Sequence, residues 1–241
     1  MTATEPPSPL PAASPLDRTF LTNLPGVTTV ILVRHGKQHF PHRDNPTNAD
    51  WVDPELSETG RRQADAVGRA LAGEHIDAIY SSPLIRAFAT AREIARHHHP
   101  LEPQVVADLR EVELFRDLAD PTSLSELIGS DELRRLQERF IQERRWDIYP
   151  YSESSAAFRA RVVPAIDAIA ARHRGQRVVV ACHSGVVNGY LAHALGLRED
   201  MFFRPAHASM NRVLADGDRR VVHSVNETHY LVAVDPRLVT V

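Results

Sequence analysis

Two histidines and two arginines of this sequence lie directly after, or close behind, short apolar runs; they are Arg34, His35, Arg86 and His183. The runs, residues 28–33, 78–81 and 178–181, show no polar alternation, which is typical of strands covered on both faces. The carboxyl ends of such strands meet at one edge of an open α/β sheet. We therefore expect the four side chains to gather at one site.

Such a cluster has the chemistry for phosphoryl transfer. Guanidinium groups offer planar forks that match phosphate oxygens. A histidine between two arginines has its pKa lowered by their positive charge, so its ring stays neutral near pH 7 and keeps one nitrogen free for attack. The transferred group needs mainly positioning and charge stabilisation, which arginines and a second histidine can supply without a metal or another cofactor.

The same chemistry needs an acid that protonates the leaving oxygen. Glu111 follows a strand-like run at residues 105–106. A carboxyl group close to a bound phosphate has its pKa raised by like charge, which suits this role. Glu113 and Asp108 are near in the sequence, so spacing alone does not rank Glu111 above them.

Backbone groups at the expected site also fit an anion. Gly36 and Gly185 allow tight turns and a close approach of the backbone. Helices that begin after Ser82 and after Gly185 would direct N–H groups toward bound phosphate.

Helical segments separate the predicted strands. Apolar residues recur at helical spacing in residues 58–72 after Ser57, from Pro83 to His97 with Ser82 as the N-cap, from Ser154 to His173, and after Gly185. Residues 209–214 and 220–225 are predicted to pair around a turn at 216–218. The alternation predicts an α/β, three-layer sandwich with a mostly parallel central sheet and helices on both faces.

Two segments stand outside this alternation. Residues 115–150 are charged and amphipathic and predict a small helical cap inserted in a domain of residues 26–241. Residues 1–25 are Pro-rich and predict a flexible tail in which the prolines, Pro15 among them, prevent a regular helix.

Composition narrows the class of protein. The 28 Lys and Arg against 31 Asp and Glu give a formal net charge of −3, which argues against a strongly basic nucleic-acid binder. The single cysteine, Cys182, excludes an internal disulfide and favours a reducing compartment. The absence of a long apolar run and of a signal-peptide pattern predicts a cytoplasmic protein with no membrane partner.

Several blocks of residues, in this order, resemble the histidine phosphatase superfamily, in its phosphoglycerate-mutase-like branch. They are Arg34-His35-Gly36, Leu56-Ser57-Glu58-Thr59-Gly60 with Gln63, Ser81-Ser82-Pro83-Leu84 with Arg86, Leu109-Arg110-Glu111, Glu153-Ser154, His183-Ser184-Gly185 and Asn226-Glu227-Thr228. Arg-His-Gly alone is a weak signal, but the blocks together are specific.

The resemblance implies a role for each residue of the cluster. His35 would carry the phosphoryl group, Glu111 would act as proton donor and then as base, and the phosphate pocket would consist of Arg34, Arg86 and His183. Further substrate contacts are expected from Gly36, Gln38 and Ser184. The substrate would be a small phosphorylated metabolite, and dimers are frequent among such proteins, so a homodimer is one assembly open to this chain.

The sequence departs from the superfamily pattern at four places without losing a catalytic group. One of them is Ser152, which stands where a glycine is common before Glu153. Lys37-Gln38 replaces a common acid or amide followed by a hydroxyl residue, so the usual extra phosphate contacts of this loop are not expected unchanged. Residues 114–117 lack the common glycines, which indicates a different substrate wall. Ser184 stands where a glycine often follows the second histidine.

Two other functions stay open from the sequence. A phosphoglycerate mutase would use the same residues, although the Arg/Tyr/Pro-rich stretch of those enzymes is not found after Glu111. A non-catalytic phosphate-binding or scaffold protein would not need the full set of His35, Arg86, Glu111 and His183. His97-His98-His99 and the group His39, His42 and Asp44 have no specific metal-ligand spacing, so no metal site is predicted.

Overall fold

A computed structural model describes residues 13–40, 52–114, 117–119 and 122–241. The helices within these residues are α1 (Pro15–Phe20), α2 (Glu58–Leu71), α3 (Ile85–Ala95), α4 (Leu124–Ile128), α5 (Ser130–Glu143), α6 (Ser155–Arg172), α7 (Ser184–Leu195) and α8 (His229–Val234). The strands are β1 (Thr28–Arg34), β2 (Ala78–Ser81), β3 (Gln104–Val105), β4 (Arg177–Cys182), β5 (Met210–Asp216) and β6 (Arg219–Glu227).

The six strands form one sheet in the order β3-β2-β4-β1-β5-β6. Strands β3, β2, β4 and β1 are parallel, whereas β5 and β6 are antiparallel to their neighbours. The register aligns Arg34 with Cys182, so the residues that follow β1 and β4 leave the sheet side by side. The predicted, mostly parallel sheet and its antiparallel C-terminal pair are confirmed.

Both faces of the sheet are covered, which explains the continuous apolar runs. Val30 and Leu32 belong to a core beneath α6 and α7, whereas Ile31 and Val33 belong to a core beneath α2 and α3. Because successive strand residues point to opposite faces, every position of such a strand has to be apolar. The three-layer sandwich is therefore confirmed.

Hydroxyl side chains begin two of the predicted helices. Ser57 accepts a hydrogen bond from Gly60 N at 3.1 Å, and Ser154 accepts one from Ala157 N at 3.1 Å. Each bond satisfies an N–H group that lacks a partner inside the helix.

Two expectations about helix starts are wrong. Helix α3 begins at Ile85 rather than at Pro83, and its N-cap is Leu84 rather than Ser82. The Ser82 hydroxyl lies just before the helix, where it accepts from Leu84 N and contacts His183. Helix α1 occupies residues where proline was expected to prevent a helix. Pro15 is its first residue, where the missing N–H costs nothing, and Ser14 supplies a capping box.

The predicted cap contains α4, α5 and a short 3-10 turn at Trp146–Ile148. Leu136 is buried and Phe140 stacks on Trp146 with ring centroids 4.7 Å apart, but Leu127 is half exposed. Phe115 and Arg116, which were expected in the substrate wall, lie outside the described residues. Residues 1–12 of the predicted tail also lie outside them. None of the helices described is both long enough and apolar enough to cross a bilayer.

Candidate active site

The chain ends of β1 and β4 bring two histidine rings together at one edge of the sheet. His35 continues the sheet by donating its N–H to Cys182 O at 2.9 Å, and His183 follows Cys182 directly. The ring centroids of His35 and His183 are 5.1 Å apart, and both residues are buried. The predicted meeting of these side chains at the strand ends is therefore present.

The His35 ring has a fixed tautomer. Its Nδ1 is 2.7 Å from Gly36 O, and because a carbonyl only accepts, Nδ1 carries the hydrogen. Nε2 is then the unprotonated nitrogen, and Arg86 Nε lies 3.3 Å from it. Burial lowers the pKa of His35 well below its ordinary value, and the neighbouring His183 and the positive charges of Arg86 and Arg34 lower it further. The ring is neutral with its nucleophilic nitrogen directed toward a cation.

Arg86 reaches the site from the first turn of α3. It is buried, and its Nη1 donates to Val52 O at 3.3 Å and lies 3.6 Å from an Asp53 carboxylate oxygen. Its turn is tied to the loop after His35 through Thr90, whose hydroxyl donates to Arg86 O and accepts from Gly36 N. The guanidinium is therefore held against the His35 ring.

His183 has one ring nitrogen in use and one without a partner. Nε2 is 2.7 Å from the Ser82 hydroxyl, and Nδ1 is buried with no hydrogen-bond partner among the described residues. Burial lowers the pKa of His183, as do Arg86 and Arg34. Ser82 also accepts from Leu84 N at 3.3 Å, so its own hydrogen is available for His183 Nε2. In the tautomer in which Ser82 donates to Nε2, Nδ1 of the neutral ring carries the hydrogen and is a donor.

Glu111 is the acid that the fold brings to this edge. Its carboxylate oxygens accept hydrogen bonds from Gly185 N and Val112 N, both at 3.0 Å. Burial raises the pKa of the Glu111 carboxyl, outweighing those two bonds and the nearby arginines. Glu113 instead pairs with Arg110, and Asp108 is exposed. The structure thus distinguishes three acids that the sequence left equal.

A guanidinium that the sequence did not single out holds the Glu111 segment. Arg161 of α6 donates to the backbone oxygens of Asp108, Arg110 and Glu111 at 2.8 to 3.0 Å. Its other two N–H groups bind the buried carboxylate of Glu153 at 2.7 Å. All five donors of Arg161 are therefore engaged, and three of them hold the backbone of the segment that carries Glu111.

The three further contacts expected from the sequence lie beside the cluster. The N–H of Gly36 is used by Thr90, and a Cβ atom on Gly36 would lie 2.3 Å from Gly60 O. Gln38 is half-buried and forms an isolated antiparallel bridge with Leu56. Ser184 is half-buried at the first position of α7.

The histidines considered as metal ligands lie in two segments, of which the structure describes one completely. His97-His98-His99 follow the end of α3, and His42 and Asp44 lie outside the described residues. Across the part of the chain that the structure describes, no three His, Cys, Asp or Glu side chains are grouped as a metal would require.

The fold and this pair of histidines define a class of protein, and comparison with known families identifies it. The model of the histidine phosphatase superfamily (branch 1) matches residues 30–228. The chain belongs to this superfamily and is an enzyme of the histidine phosphatase type, which confirms the interpretation of its motifs.

Relatives cover most of the chain. Phosphoserine phosphatase 1 of Hydrogenobacter thermophilus is 31% identical over 84% of this chain and 93% of its own length. A 2,3-bisphosphoglycerate-dependent phosphoglycerate mutase of Brucella anthropi is 31% identical over 73% of this chain and 85% of its own length. The structure of a mycobacterial glucosyl-3-phosphoglycerate phosphatase matches with a TM-score of 0.67 at 24% identity, over 83% of this chain and 99% of that one, and supports the fold.

Proposed function

We propose that this chain hydrolyses a small phosphorylated metabolite through a phosphohistidine on His35. The observation that carries the proposal is the neutral, tautomer-fixed His35 ring whose Nε2 lies 3.3 Å from Arg86 Nε, at a site that also contains His183 and Glu111. A buried neutral imidazole beside cations is a nucleophile matched to an anionic electrophile.

In the first step, Nε2 of His35 attacks phosphorus in line with the ester oxygen. The N–P bond forms as the P–O bond breaks, and the Glu111 carboxyl gives its proton to the leaving oxygen. Arg34, Arg86 and the Nδ1–H of His183 stabilise the negative charge on the three equatorial oxygens. The side chains supply all the positive charge in this step, so the proposed reaction needs no metal.

In the second step, the Glu111 carboxylate takes a proton from water. The water oxygen attacks phosphorus, the N–P bond breaks, and inorganic phosphate leaves with the His35 ring neutral again. Glu111 is suited to both steps because burial raises the pKa of its carboxyl while the residue remains partly exposed.

Trapping the phosphoenzyme tests this proposal. Wild-type enzyme is mixed with substrate carrying a radioactive phosphoryl group and quenched in alkaline detergent, since phosphohistidine survives alkali and is hydrolysed by acid. We expect acid-labile label that peptide mapping places on His35. The same label is expected in His223→Ala, which changes an exposed histidine of β6. Label on any other residue would contradict the proposal.

The names of relatives guide the choice of substrates. Phosphoserine is the first compound to test, because two relatives are phosphoserine phosphatases. The Brucella anthropi relative supports mutase activity as the second candidate. Measuring phosphate release beside interconversion of 2- and 3-phosphoglycerate separates the two. Fast interconversion with negligible hydrolysis would favour the mutase, and no turnover on a broad panel would favour a non-catalytic role.

Adding a methyl group beside the acid should slow the enzyme without unfolding it. A Cβ atom at position 185 would lie 2.3 Å from Glu111 Oε1, so Gly185→Ala forces this carboxyl to move. Misplacement by about 1 Å costs on the order of a hundredfold in rate, and we expect that loss in kcat/KM for an alkyl phosphate. Gly73→Ala is the matched control because its Cβ meets nothing within 4 Å. Unchanged kinetics in Gly185→Ala would show that the Glu111 position does not matter.

A further inference from the structure

Arg34 is held in place by a third histidine, His207, which no motif of the sequence indicates. His207 is buried in the loop that precedes β5, and its ring centroid is 5.9 Å from that of His35. Its Nε2 is 2.9 Å from Arg34 Nη2, and its Nδ1 is 3.0 Å from the Thr240 hydroxyl and 3.2 Å from Thr240 O. Both ring nitrogens therefore have polar partners.

The partners fix which nitrogen of His207 carries the hydrogen. A guanidinium has only donors, so Nε2 must accept from Arg34. Nδ1 then carries the hydrogen and donates it to Thr240. The pKa of His207 is lowered to about 3 by burial and by the charges of Arg34, Lys37 and Arg204, although its bond to Thr240 acts in the opposite direction. The ring thus remains a neutral acceptor at the pH of any ordinary assay.

The contacts of Arg34 show what this acceptor does. Nη1 donates to Pro205 O and Nη2 donates to His207, which fixes the plane of the guanidinium. Nε is buried and has no partner among the described residues. The guanidinium is already fixed and still has a donor for a ligand. It can therefore bind phosphate without a further loss of side-chain conformational entropy.

Thr240, which binds the His207 ring, is also connected through Gln63 to Lys37. The Thr240 hydroxyl accepts from Gln63 Nε2 at 2.9 Å, and Gln63 Oε1 accepts from Lys37 N at 2.7 Å. Arg34 and Lys37 flank His35 in the sequence, so one residue, Thr240, is connected to both ends of the segment that bears the nucleophile.

We infer that His207 is a positioning residue, anchored by Thr240, that orients Arg34 for the phosphoryl group. The inference rests on the proposed function in that it takes Arg34 to be a phosphate ligand. His207 itself does not attack or protonate the substrate, because neither of its ring nitrogens is free. Its effect passes through Arg34.

Three variants test the inference: two change position 207, and the third changes an exposed control residue. His207→Leu removes both bonds, whereas His207→Gln keeps an acceptor for Arg34 and a donor for Thr240. Losing a hydrogen bond to a charged group corresponds to about a ten- to hundredfold change, and we expect that loss in the affinity of His207→Leu for inorganic phosphate and in its kcat/KM. His207→Gln should recover most of it, and the exposed-site control His223→Leu should lose nothing.

A double-mutant cycle separates positioning from a general structural effect. If His207 acts through Arg34, His207→Leu costs less than about twofold once Arg34→Ala is present, because interacting residues are not additive. Full additivity would overturn the inference, as would an unchanged phosphate affinity in His207→Leu. If His207→Leu does not fold, Thr240→Val provides the same comparison at a half-buried residue, with a smaller loss expected. Calorimetric phosphate affinity needs no turnover, so the inference can hold even if the proposed hydrolysis fails, and it can fail while hydrolysis is observed.

Discussion

Replacing His35 with alanine is expected to abolish turnover while much of the affinity for inorganic phosphate remains. The nucleophile cannot be bypassed, and loss of a covalent catalyst costs roughly four to six orders of magnitude in kcat. Arg34, Arg86 and His183 stay in place to hold the phosphate charge. Steady-state phosphate release and titration calorimetry with inorganic phosphate measure the two effects on one protein sample.

The experiment on His35→Ala has one control variant and two outcomes that would contradict the prediction. His223→Ala removes an exposed imidazole of β6 and should leave both measurements unchanged. Near-wild-type turnover in His35→Ala would show that another group receives the phosphoryl group. Simultaneous loss of turnover and of all phosphate affinity would show instead that His35 is part of the binding pocket rather than only the nucleophile.

The second large effect concerns Glu111 and depends on the leaving group. Glu111→Gln keeps the shape of the side chain but cannot give up a proton as an acid does. General acid catalysis is worth about 10² to 10⁴ in rate, so an alkyl phosphate should be slowed by that amount. The kcat/KM for nitrophenyl phosphate, which reports phosphorylation of His35 and not the later attack of water, should fall least, because nitrophenolate leaves without protonation. Equal slowing of both esters would contradict the acid role of Glu111.

The pH dependence of kcat/KM is a second test of the acid role of Glu111. Burial raises the pKa of Glu111, and the acid must be protonated in the first step, so kcat/KM for an alkyl phosphate should fall as pH rises through that pKa. The pKa of His35 is lowered, so its ring is already neutral over this range and adds no limb. Glu111→Gln should flatten the descending limb. Glu113→Gln, which changes the carboxyl paired with Arg110, should keep it.

The sheet and the pair of histidines could be predicted from the sequence because both depend on local patterns. Each covered strand is a short apolar run, because its alternate residues enter the hydrophobic cores on the two faces of the sheet. Parallel strands bring their carboxyl ends together, so the residues after β1 and β4 had to meet. The starts of the helices after Ser57 and at about Ser154 were also predicted, and the structure shows these two serines as the N-caps.

The surroundings of the site could not be predicted because they depend on contacts between distant residues. His207 is 173 positions from Arg34, and Arg161 is 50 positions from Glu111. Neither follows an apolar run nor stands at a recognisable spacing. The contact of the Ser82 hydroxyl with His183, 101 positions away, was likewise not recognisable from the sequence.

The acid and the phosphate pocket are attached to parts of the sheet with different stability. His35 and His183 leave two long strands, β1 and β4, that pair along six residues, whereas Glu111 follows β3, a two-residue strand at one end of the sheet. Arg161 holds that segment in place by donating hydrogen bonds to its backbone oxygens. Under mild denaturant, the segment is therefore expected to open before the central strands do. In a partly damaged sample, His35 would then still be phosphorylated by an activated aryl ester, and the initial burst of nitrophenolate would overstate how much enzyme is competent toward natural metabolites.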